Sequence, residues 1–344
     1  GGAELQETCD GGEVLHDNPR RRLIRLSQAG GDPMLKHDDP MAKHGDLMLK
    51  QFRVGSGRHP LRERLKIRLG RSPAEREWRN LVALHEAGVP VPAPLALGVL
   101  PSGDRLLAMS FVEGRPFATV LGDTTANLQG EAAASRQDLL GEAAANRRDL
   151  LGRLGALVTR MHDAGYIHRD LHIGNVLWTG AGPLLLDLQH AGRGRSRSAR
   201  NHDLGDLDYS LWRHASLADR VRLRAAALGV SPPFDTAARE ALRAVGGAAS
   251  ARADRHGRSR TRRSLRPGRL YARLRLTEGG GMRLREISEA EVRQALAAHH
   301  EALASGDRRL IKSDDRSRIS AIEVAGRRLV IKEVLFRGLA RSFV

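Results

Sequence analysis

A short segment near the middle of the chain restricts its fold more than any other feature. Residues 168–177 read HRDLHIGNVL, and an apolar run at 184–186 ends in Asp187. The pattern puts Asp170 and Asn175 on one loop, five residues apart, and Asp187 at the end of a strand. One carboxylate there can orient an attacking hydroxyl and take its proton, while an amide and a second carboxylate hold Mg²⁺ against phosphates. The spacing therefore suits phosphoryl transfer.

The residues before this segment predict a small sheet and one helix. Short apolar runs at 23–26 and 47–50 read as strands, and a second strand pair follows at 96–99 and 106–112. The helix begins at Ser72-Pro73-Ala74-Glu75, because Ser favours the N-cap, Pro the first turn and Glu the capping-box position. Gly88 is expected to end it.

The residues around and after the segment read mainly as helices. Two eleven-residue repeats, 130–140 and 141–151, predict one long helix that ends at Gly165, because eleven residues make three helical turns. Further helices are expected at 204–228, 236–245 and 289–304, whereas residues 319–334 read as two strands around Ala325-Gly326.

Composition narrows the function classes. One cysteine, Cys9, excludes a disulfide framework and a cysteine-based zinc site. No apolar run approaches the ~18 residues needed to cross a bilayer, and we expect a cytoplasmic protein. The net charge of +17 favours partners that carry phosphate, while the twelve aromatic residues weaken a nucleic-acid interpretation. Ten of the arginines lie in residues 252–275.

The central segment resembles the protein-kinase-like superfamily, whose catalytic loop reads H-x-D-x-x-x-x-N and whose metal-binding Asp opens a DFG-type motif. The resemblance implies a bilobal α+β fold with a small β-rich N-lobe, one main helix and a mainly helical C-lobe. It also implies that Asp170 is the catalytic base, that Asn175 and Asp187 bind magnesium, and that His168 and Arg169 support the loop.

The same resemblance implies an ATP site in the N-lobe. Lys50 lies where the strand lysine reaches the phosphates, and Glu77, or failing it Glu75, is positioned to pair with it. We favour Glu77 because it lies four residues before Leu81 on the apolar side of the helix, and because Glu75 is suited to capping. The hinge that holds adenine is expected at 109–114, with Met109, Phe111 and Val112 as its contacts.

Departures from protein-kinase motifs point to a narrower family. Asp187-Leu188-Gln189 replaces Asp-Phe-Gly, no Ala-Pro-Glu follows, and His172, a candidate substrate-facing residue, stands in the catalytic loop. The combination of four segments is most similar to the lipopolysaccharide kinase family. They are the catalytic-loop sequence, the AEREW segment at 74–78, the GVPVP segment at 88–92 and residues 200–211. Membership would imply an inner-core sugar as acceptor, ATP and Mg²⁺ as cofactors, and a location at the inner face of the bacterial inner membrane.

The glycine loop of kinases has no clear counterpart. No G-x-G-x-x-G precedes Lys50, and only Gly30-Gly31-Asp32 lies near the expected position. This gap leaves two alternatives to a sugar kinase. One is an atypical Ser/Thr protein kinase, and the other is a pseudokinase or basic adaptor for anionic membrane or nucleic acid.

The domain boundaries expected from these patterns divide the chain into five parts. They are an N-terminal tail (1–20), an N-lobe (21–112), a C-lobe (113–245), a basic Gly/Arg-rich linker and helix (246–305), and residues 306–344. The last part reads either as the start of a second kinase-like N-lobe, with the lysine of Leu329-Val330-Ile331-Lys332 in the strand position, or as an extra hairpin. Because the chain lacks an initiator Met and ends on mostly apolar residues, we expect a piece of a longer protein. The basic residues 252–275 are expected to contact an anionic membrane surface.

Overall fold

A computed structural model describes residues 12–27, 45–54, 72–126, 133–276 and 279–335, with the backbone alone for 124–126 and 133–144. The chain divides into two compact units, Gly1–Ala253 and Asp254–Val344. Within these described ranges, no helix has both the length and the apolar character needed to cross a membrane. The glycine-loop candidate at 30–32 lies outside the described residues.

The N-terminal sheet of the first unit is antiparallel, with the strand order β1-β2-β3-β5-β4. Its strands are β1 (Glu13–Asp17), β2 (Arg21–Leu26), β3 (Leu47–Phe52), β4 (Pro94–Val99) and β5 (Arg105–Ser110). The sheet begins inside the segment expected to be a tail. All five side chains of β1 are exposed at the sheet edge, so its sequence lacks the buried alternation that predicts a strand.

The main helix of this lobe, α1 (Pro73–Glu86), begins and ends where the sequence predicts. Ser72 and Glu75 form a capping box, in which the Ser72 hydroxyl accepts from the Glu75 N–H and the Glu75 carboxylate accepts from the Ser72 N–H. At the other end Gly88 takes a φ of +69°, which glycine adopts without steric cost. The capping box commits Glu75 and leaves Glu77 on the buried side of the helix.

The rest of the first unit is mainly helical. Its helices are α2 (Phe117–Ala126), α3 (Ala133–Asp163), α4 (Arg197–Ser210), α5 (Leu217–Leu228) and α6 (Thr236–Ser264), the last of which continues past Ala253. Its short strands are β6 (Arg115–Pro116), β7 (Tyr166–Ile167), β8 (Val176–Thr179), β9 (Gly182–Leu185) and β10 (Gly192–Arg193), paired as β6-β8-β9 and β7-β10. The long helix expected from the eleven-residue repeats is α3.

The two faces of the N-terminal sheet pack differently. One face forms a small core of its own around Ile24, Leu49 and Leu106. The other face, with Phe52, Leu107 and Met109, joins the core of α1 and of the C-lobe helices. Lys50 lies on β3 next to Leu49 and therefore points to this second face. This is the bilobal α+β arrangement that the sequence predicts, with the candidate site between the lobes.

The second unit contains more regular structure than a linker and a hairpin. Its elements are β11 (Tyr271–Leu276), β12 (Gly279–Leu284), α7 (Glu289–Ser305), β13 (Leu310–Ser313), β14 (Ser317–Val324) and β15 (Arg327–Val334). Strands β11 and β12 form a hairpin within the range expected to be linker, where glycines and arginines mask the strand pattern. The strands expected around Ala325-Gly326 are β14 and β15, and β13 adds a third to their sheet.

Candidate active site

Lys50 lies at the centre of the site. Its ammonium group donates to both carboxylate oxygens of Glu77, at 2.8 and 2.7 Å, and to Oδ1 of Asp187 at 2.9 Å. Lys50 and Glu77 are 4% and 3% exposed. A buried charge is costly unless it is paired, and here the two carboxylates supply that pairing. Burial raises the pKa of Glu77, and the neighbouring ammonium group opposes that rise.

Asn80 fastens α1 to the segment that follows Asp187. Its side-chain amide donates to the carbonyl oxygens of Leu188, at 2.9 Å, and of Ala191, at 2.8 Å. Asn80 stands one turn after Glu77 on the helix. The helix therefore holds Glu77 and the Asp187 segment in fixed relation to Lys50.

Arg21, which the sequence analysis did not single out, also contacts the site. Its Nη1 donates to Oδ2 of Asp187 at 3.0 Å. Burial acts to raise the pKa of Asp187, but the charges of Lys50 and Arg21 outweigh it and hold the pKa below its ordinary value. Asp187 is therefore a carboxylate at neutral pH, as cation binding requires. Because Arg21 is one of many arginines in the sequence, only its pairing across the lobes distinguishes it.

The loop that carries Asp170 is anchored by Asp203 on α4. The carboxylate of Asp203, 2% exposed, accepts the backbone N–H of His168 at 2.6 Å and that of Arg169 at 2.7 Å. It also lies 3.2 Å from Nε2 of His162. Asp203 is not among the residues predicted from the sequence, because a lone Asp in a helix reads as a surface residue. Its position fixes the backbone immediately before Asp170.

His168 is fully buried and supports the loop from within. Its Nε2 lies 3.1 Å from the carbonyl oxygen of Leu186, so this nitrogen carries the proton. Burial lowers the pKa of His168 below its ordinary value, against the opposing effect of Asp203. The neutral ring thereby joins the Asp170 loop to the residue before Asp187.

Asn175 connects the loop to the strand end that carries Asp187. Its Nδ2 donates to the backbone oxygen of Asp170 at 3.0 Å, and the backbone oxygen of Asn175 accepts the N–H of Leu186 at 2.9 Å. With Nδ2 engaged, the amide group presents its oxygen as the acceptor for a cation. The donors of Asn175 and Asp187 are the hard oxygens that Mg²⁺ binds, and phosphate oxygens commonly complete such a site. These residues fit a magnesium ion held jointly with a nucleotide.

Backbone strain is concentrated at the same place. Among the described residues, three non-glycine residues have a positive φ, and Arg169 (63°) and Asp187 (58°) are two of them. This conformation costs about 1–3 kcal/mol and persists where the surroundings hold it. At Arg169 the Asp203 carboxylate holds it, and at Asp187 Lys50 and Arg21 do. Strained residues held in this way are typical of functional sites.

The predicted hinge lies after β5, where it joins the two lobes. Met109 belongs to β5 and is 7% exposed, and Phe111 and Val112 follow the strand. The N–H of Phe111 donates to the carbonyl oxygen of Asp46 at 2.9 Å, so it is not the donor for an adenine ring. The guanidinium of Arg25 stacks over the Phe111 ring at 4.3 Å. This part of the prediction therefore depends on Met109 and Val112.

The remaining histidine near the loop has a local role. Nδ1 of His172 accepts the N–H of Gly174 at 3.1 Å and caps the short 3-10 turn Ile173–Asn175. The side chain is half-buried beside Asn175. In the described ranges, no three His, Cys, Asp or Glu side chains are grouped so as to hold a metal ion. His168 and His172 each use one ring nitrogen in a backbone contact at this loop.

A comparison of the chain with protein-family models gives a match. The model of the lipopolysaccharide kinase (Kdo/WaaP) family matches residues 39–226, slightly more than half of the chain. No curated protein matches the chain significantly. One similar solved structure is the PknI kinase domain of Mycobacterium tuberculosis, a cysteine-to-alanine mutant, at 15% identity and a TM-score of 0.33. That match covers 65% of this chain and 74% of the other.

Proposed function

This chain belongs to the lipopolysaccharide kinase (Kdo/WaaP) family, and from that membership we propose that it transfers the γ-phosphoryl group of ATP to a sugar hydroxyl. The acceptor is a sugar of the lipopolysaccharide core or of a similar glycoconjugate. The family establishes that the chain is a kinase-type phosphotransferase. The nucleotide, the metal and the acceptor are parts of the proposal.

The observation that carries the proposal is the linked set of Lys50, Glu77 and Asp187 beside the anchored Asp170 loop. Phosphoryl transfer needs positioning and charge neutralisation more than covalent chemistry from the protein. The Lys50 ammonium group is held by two carboxylates at 2.7–2.9 Å, and the Asp170 backbone is fixed through Asp203 and Asn175. Unrelated surface side chains would not be held in this way by contacts from both lobes.

Each residue then has a defined task. ATP and Mg²⁺ supply the transferable phosphoryl group and the countercharge for its oxygens. Asn175 and Asp187 hold the metal, and Lys50, oriented by Glu77, contacts the phosphates. Asp170 orients the acceptor hydroxyl and accepts its proton. Met109 and Val112 contact the adenine ring, His168 and Arg169 support the loop, and half-buried His172 faces the acceptor.

The basic segment 252–275 fits an acceptor that is anchored in a membrane. Most of its arginines are exposed, and Leu265 and Leu270, at 68% and 60% exposure, lie among them. Basic residues beside exposed apolar side chains are typical of peripheral membrane contact, at about 1 kcal/mol per basic residue near an anionic surface. We assign this segment the peripheral contact with the anionic leaflet.

The test of the enzymatic proposal is ATP turnover with defined acceptors. Mg²⁺-dependent turnover should require deacylated lipopolysaccharide core and should fall by orders of magnitude in Asp170→Asn. Phosphate transferred to a protein library and not to the saccharide would instead indicate a protein kinase. The absence of both turnover and nucleotide binding would leave a pseudokinase.

The membrane contact has a separate test. The measurement is binding to vesicles with and without anionic lipid. It compares the wild-type protein with a variant in which four arginines are changed to Gln: Arg262, Arg263, Arg266 and Arg269. We expect binding only to anionic vesicles, lost in the variant and weakened by salt. Equal binding of both proteins would exclude this segment as the contact.

A further inference from the structure

The last three described strands repeat the first three. Strands β13, β14 and β15 form an antiparallel sheet in that order, as do β1, β2 and β3. In the first sheet, Leu23 of β2 pairs with Lys50 of β3. In the second, Ile319 of β14 pairs with Lys332 of β15. Each lysine also follows three apolar residues along its strand.

The two sheets share an irregularity at the same place. The β1–β2 pairing shifts register between Val14 and His16, opposite Ile24 and Leu23. The β13–β14 pairing shifts between Leu310 and Lys312, opposite Ser320 and Ile319. A bulge is a specific local feature and not a default of antiparallel pairing.

The turns that follow the two bulges have the same pattern of hydrogen bonds. Asn18 Oδ1 accepts the N–H groups of Arg20 and Arg21, both at 2.9 Å. Asp314 Oδ1 accepts those of Arg316 and Ser317 at 2.9 and 2.7 Å. In both turns the N–H of the Asn or Asp donates to the carbonyl oxygen three residues on, at 3.0 Å.

The ends of the third strands match as well. The N–H of Arg53 donates to the Arg20 oxygen, and that of Leu335 donates to the Arg316 oxygen, both at 2.9 Å. Pairing, bulge, turn and strand end therefore agree in one continuous alignment. A simple hairpin extension of the first unit would fix none of these four features, since each depends on local sequence.

We propose that residues 310–335 are the first three strands of a second kinase-like N-lobe, in which Lys332 binds nucleotide phosphates as Lys50 does. Val330 and Val334 share the face of Lys332, as Met48 and Phe52 share that of Lys50. Helix α7 packs on the opposite face, against Ile322 and Val324. Val330 and Val334 are 69% and 50% exposed, on the face that α1 and the C-lobe cover in the first lobe.

The test is a lysine-reactive acyl phosphate of ATP, applied to the full chain. The amine of a lysine beside the bound phosphates attacks the acyl carbonyl, an amide bond forms and the acyl–phosphate bond breaks. ATP then leaves with the electron pair, and the amine proton passes to solvent. Mass spectrometry of the peptides locates the amide.

Lys312 is the matched control, because it pairs with the same Ile319 from the other neighbouring strand. We expect Lys332 to be labelled at least about tenfold more than Lys312, with the difference removed by excess ATP. Labelling of Lys332 no greater than that of Lys312 would overturn the second site. Labelling of Lys50 reports separately on the first site, so the two proposals fail independently.

A different observation concerns the β1–β2 turn, where kinases carry a glycine-rich loop that covers the phosphates. In this chain the N–H groups of Arg20 and Arg21 are taken by Asn18 Oδ1, and that of Asn18 is taken by the Arg21 oxygen. The backbone of the turn is therefore committed to its own conformation. Another group has to contact the phosphates from this side.

Arg21 is in the position to do so. Its guanidinium lies 3.0 Å from Asp187, the carboxylate that Lys50 also contacts. A guanidinium binds phosphate oxygens through two parallel N–H groups, and it does not need the backbone approach that glycine permits. Resting on the proposed function, we infer that the Arg21 side chain binds the β- and γ-phosphates in place of a glycine-rich loop.

The test compares nucleotides of different phosphate length by calorimetry, without turnover. In Arg21→Ala the Kd for ATP should rise about 10- to 100-fold, while the Kd for AMP should stay unchanged. Arg21→Lys should recover part of the loss. Arg22→Ala, on the other face of the same strand and close to Asp17, is the matched control.

Equal effects on ATP and AMP, or no effect on either, would overturn the role of Arg21. A wild-type protein that binds no nucleotide would instead overturn the proposed function. The two failures are therefore distinguishable.

Discussion

Lys50 and Asp187 meet across the two lobes, with the ammonium group 2.9 Å from the carboxylate. Lys50 belongs to the N-terminal sheet, whereas Asp187 follows strand β9 of the C-lobe. Glu77 holds the same ammonium group from α1, and Asn80 ties α1 to the carbonyls beyond Asp187. The lobes are therefore joined through the groups that the proposed reaction needs.

Removing the Glu77 carboxylate should reduce catalysis without unfolding the protein. Glu77→Gln replaces two charge-assisted hydrogen bonds to Lys50 with a neutral contact, worth about 1.5–3 kcal/mol. We expect kcat/KM for ATP to fall about 10- to 100-fold. Steady-state kinetics at varied ATP measures the loss.

Glu75→Gln is the matched control, two residues earlier on α1. Gln still accepts the N–H of Ser72 in a capping box, so the start of the helix persists. We expect kcat/KM to change less than about twofold. Similar losses in the two variants would show that Lys50 does not depend on Glu77.

Asp170 should govern the chemical step and not nucleotide binding. Asp170→Asn keeps the backbone oxygen that receives Nδ2 of Asn175, so the loop conformation is retained. We expect kcat to fall about 10²- to 10⁴-fold while the Kd for ATP stays within about twofold. Asp163→Asn, an exposed carboxylate paired with Arg200, is the control and should leave both constants unchanged. A weakened Kd in Asp170→Asn with unaltered kcat would contradict the assignment.

Asp203 should matter for stability as well as for activity. In Asp203→Ala, the N–H groups of His168 and Arg169 lose the carboxylate that accepts both, in a buried environment. We expect the free energy of unfolding to fall by about 2–5 kcal/mol, as measured by urea titration. Asp163→Asn, at an exposed carboxylate paired with Arg200, should cost under about 1 kcal/mol.

The local signals in the sequence were sufficient for much of the fold. The capping box at Ser72, the glycine at 88 and the eleven-residue repeats each act within a few residues, and α1 and α3 follow them. Strand β1 was missed because its five exposed side chains carry no buried alternation. The β11–β12 hairpin was missed for a similar reason, since glycines fill half of one strand.

The site was predictable where its residues lie in one motif, and less so where they meet from distant segments. The sequence of the central segment predicted Asp170, Asn175 and Asp187 as site residues. The spacing on the helix predicted Glu77 as the partner of Lys50, and the structure brings these two side chains into contact. Arg21 and Asp203 were missed because only the fold places them beside that loop. Arg and Asp are common residue types in this sequence, and only the contacts made in the folded chain give Arg21 and Asp203 a role.

The buried His168 predicts how stability depends on pH. The pKa of His168 in the folded protein lies below the ordinary value of 6.5, so this side chain binds a proton more readily in the unfolded chain than in the folded protein. Its contribution to stability is therefore present above that value and is lost as the pH falls below it. The carboxylates of Asp203, Asp170 and Asp187 oppose the shift without cancelling it.

Urea unfolding at pH 8 and pH 5.5 should test this effect. The wild-type protein should lose more unfolding free energy over this interval than His168→Gln, because Gln does not titrate. His214→Gln, at an exposed position, should behave as the wild type. An equal loss in wild type and His168→Gln would mean that the ring takes up its proton in the folded protein, which the burial of the ring opposes.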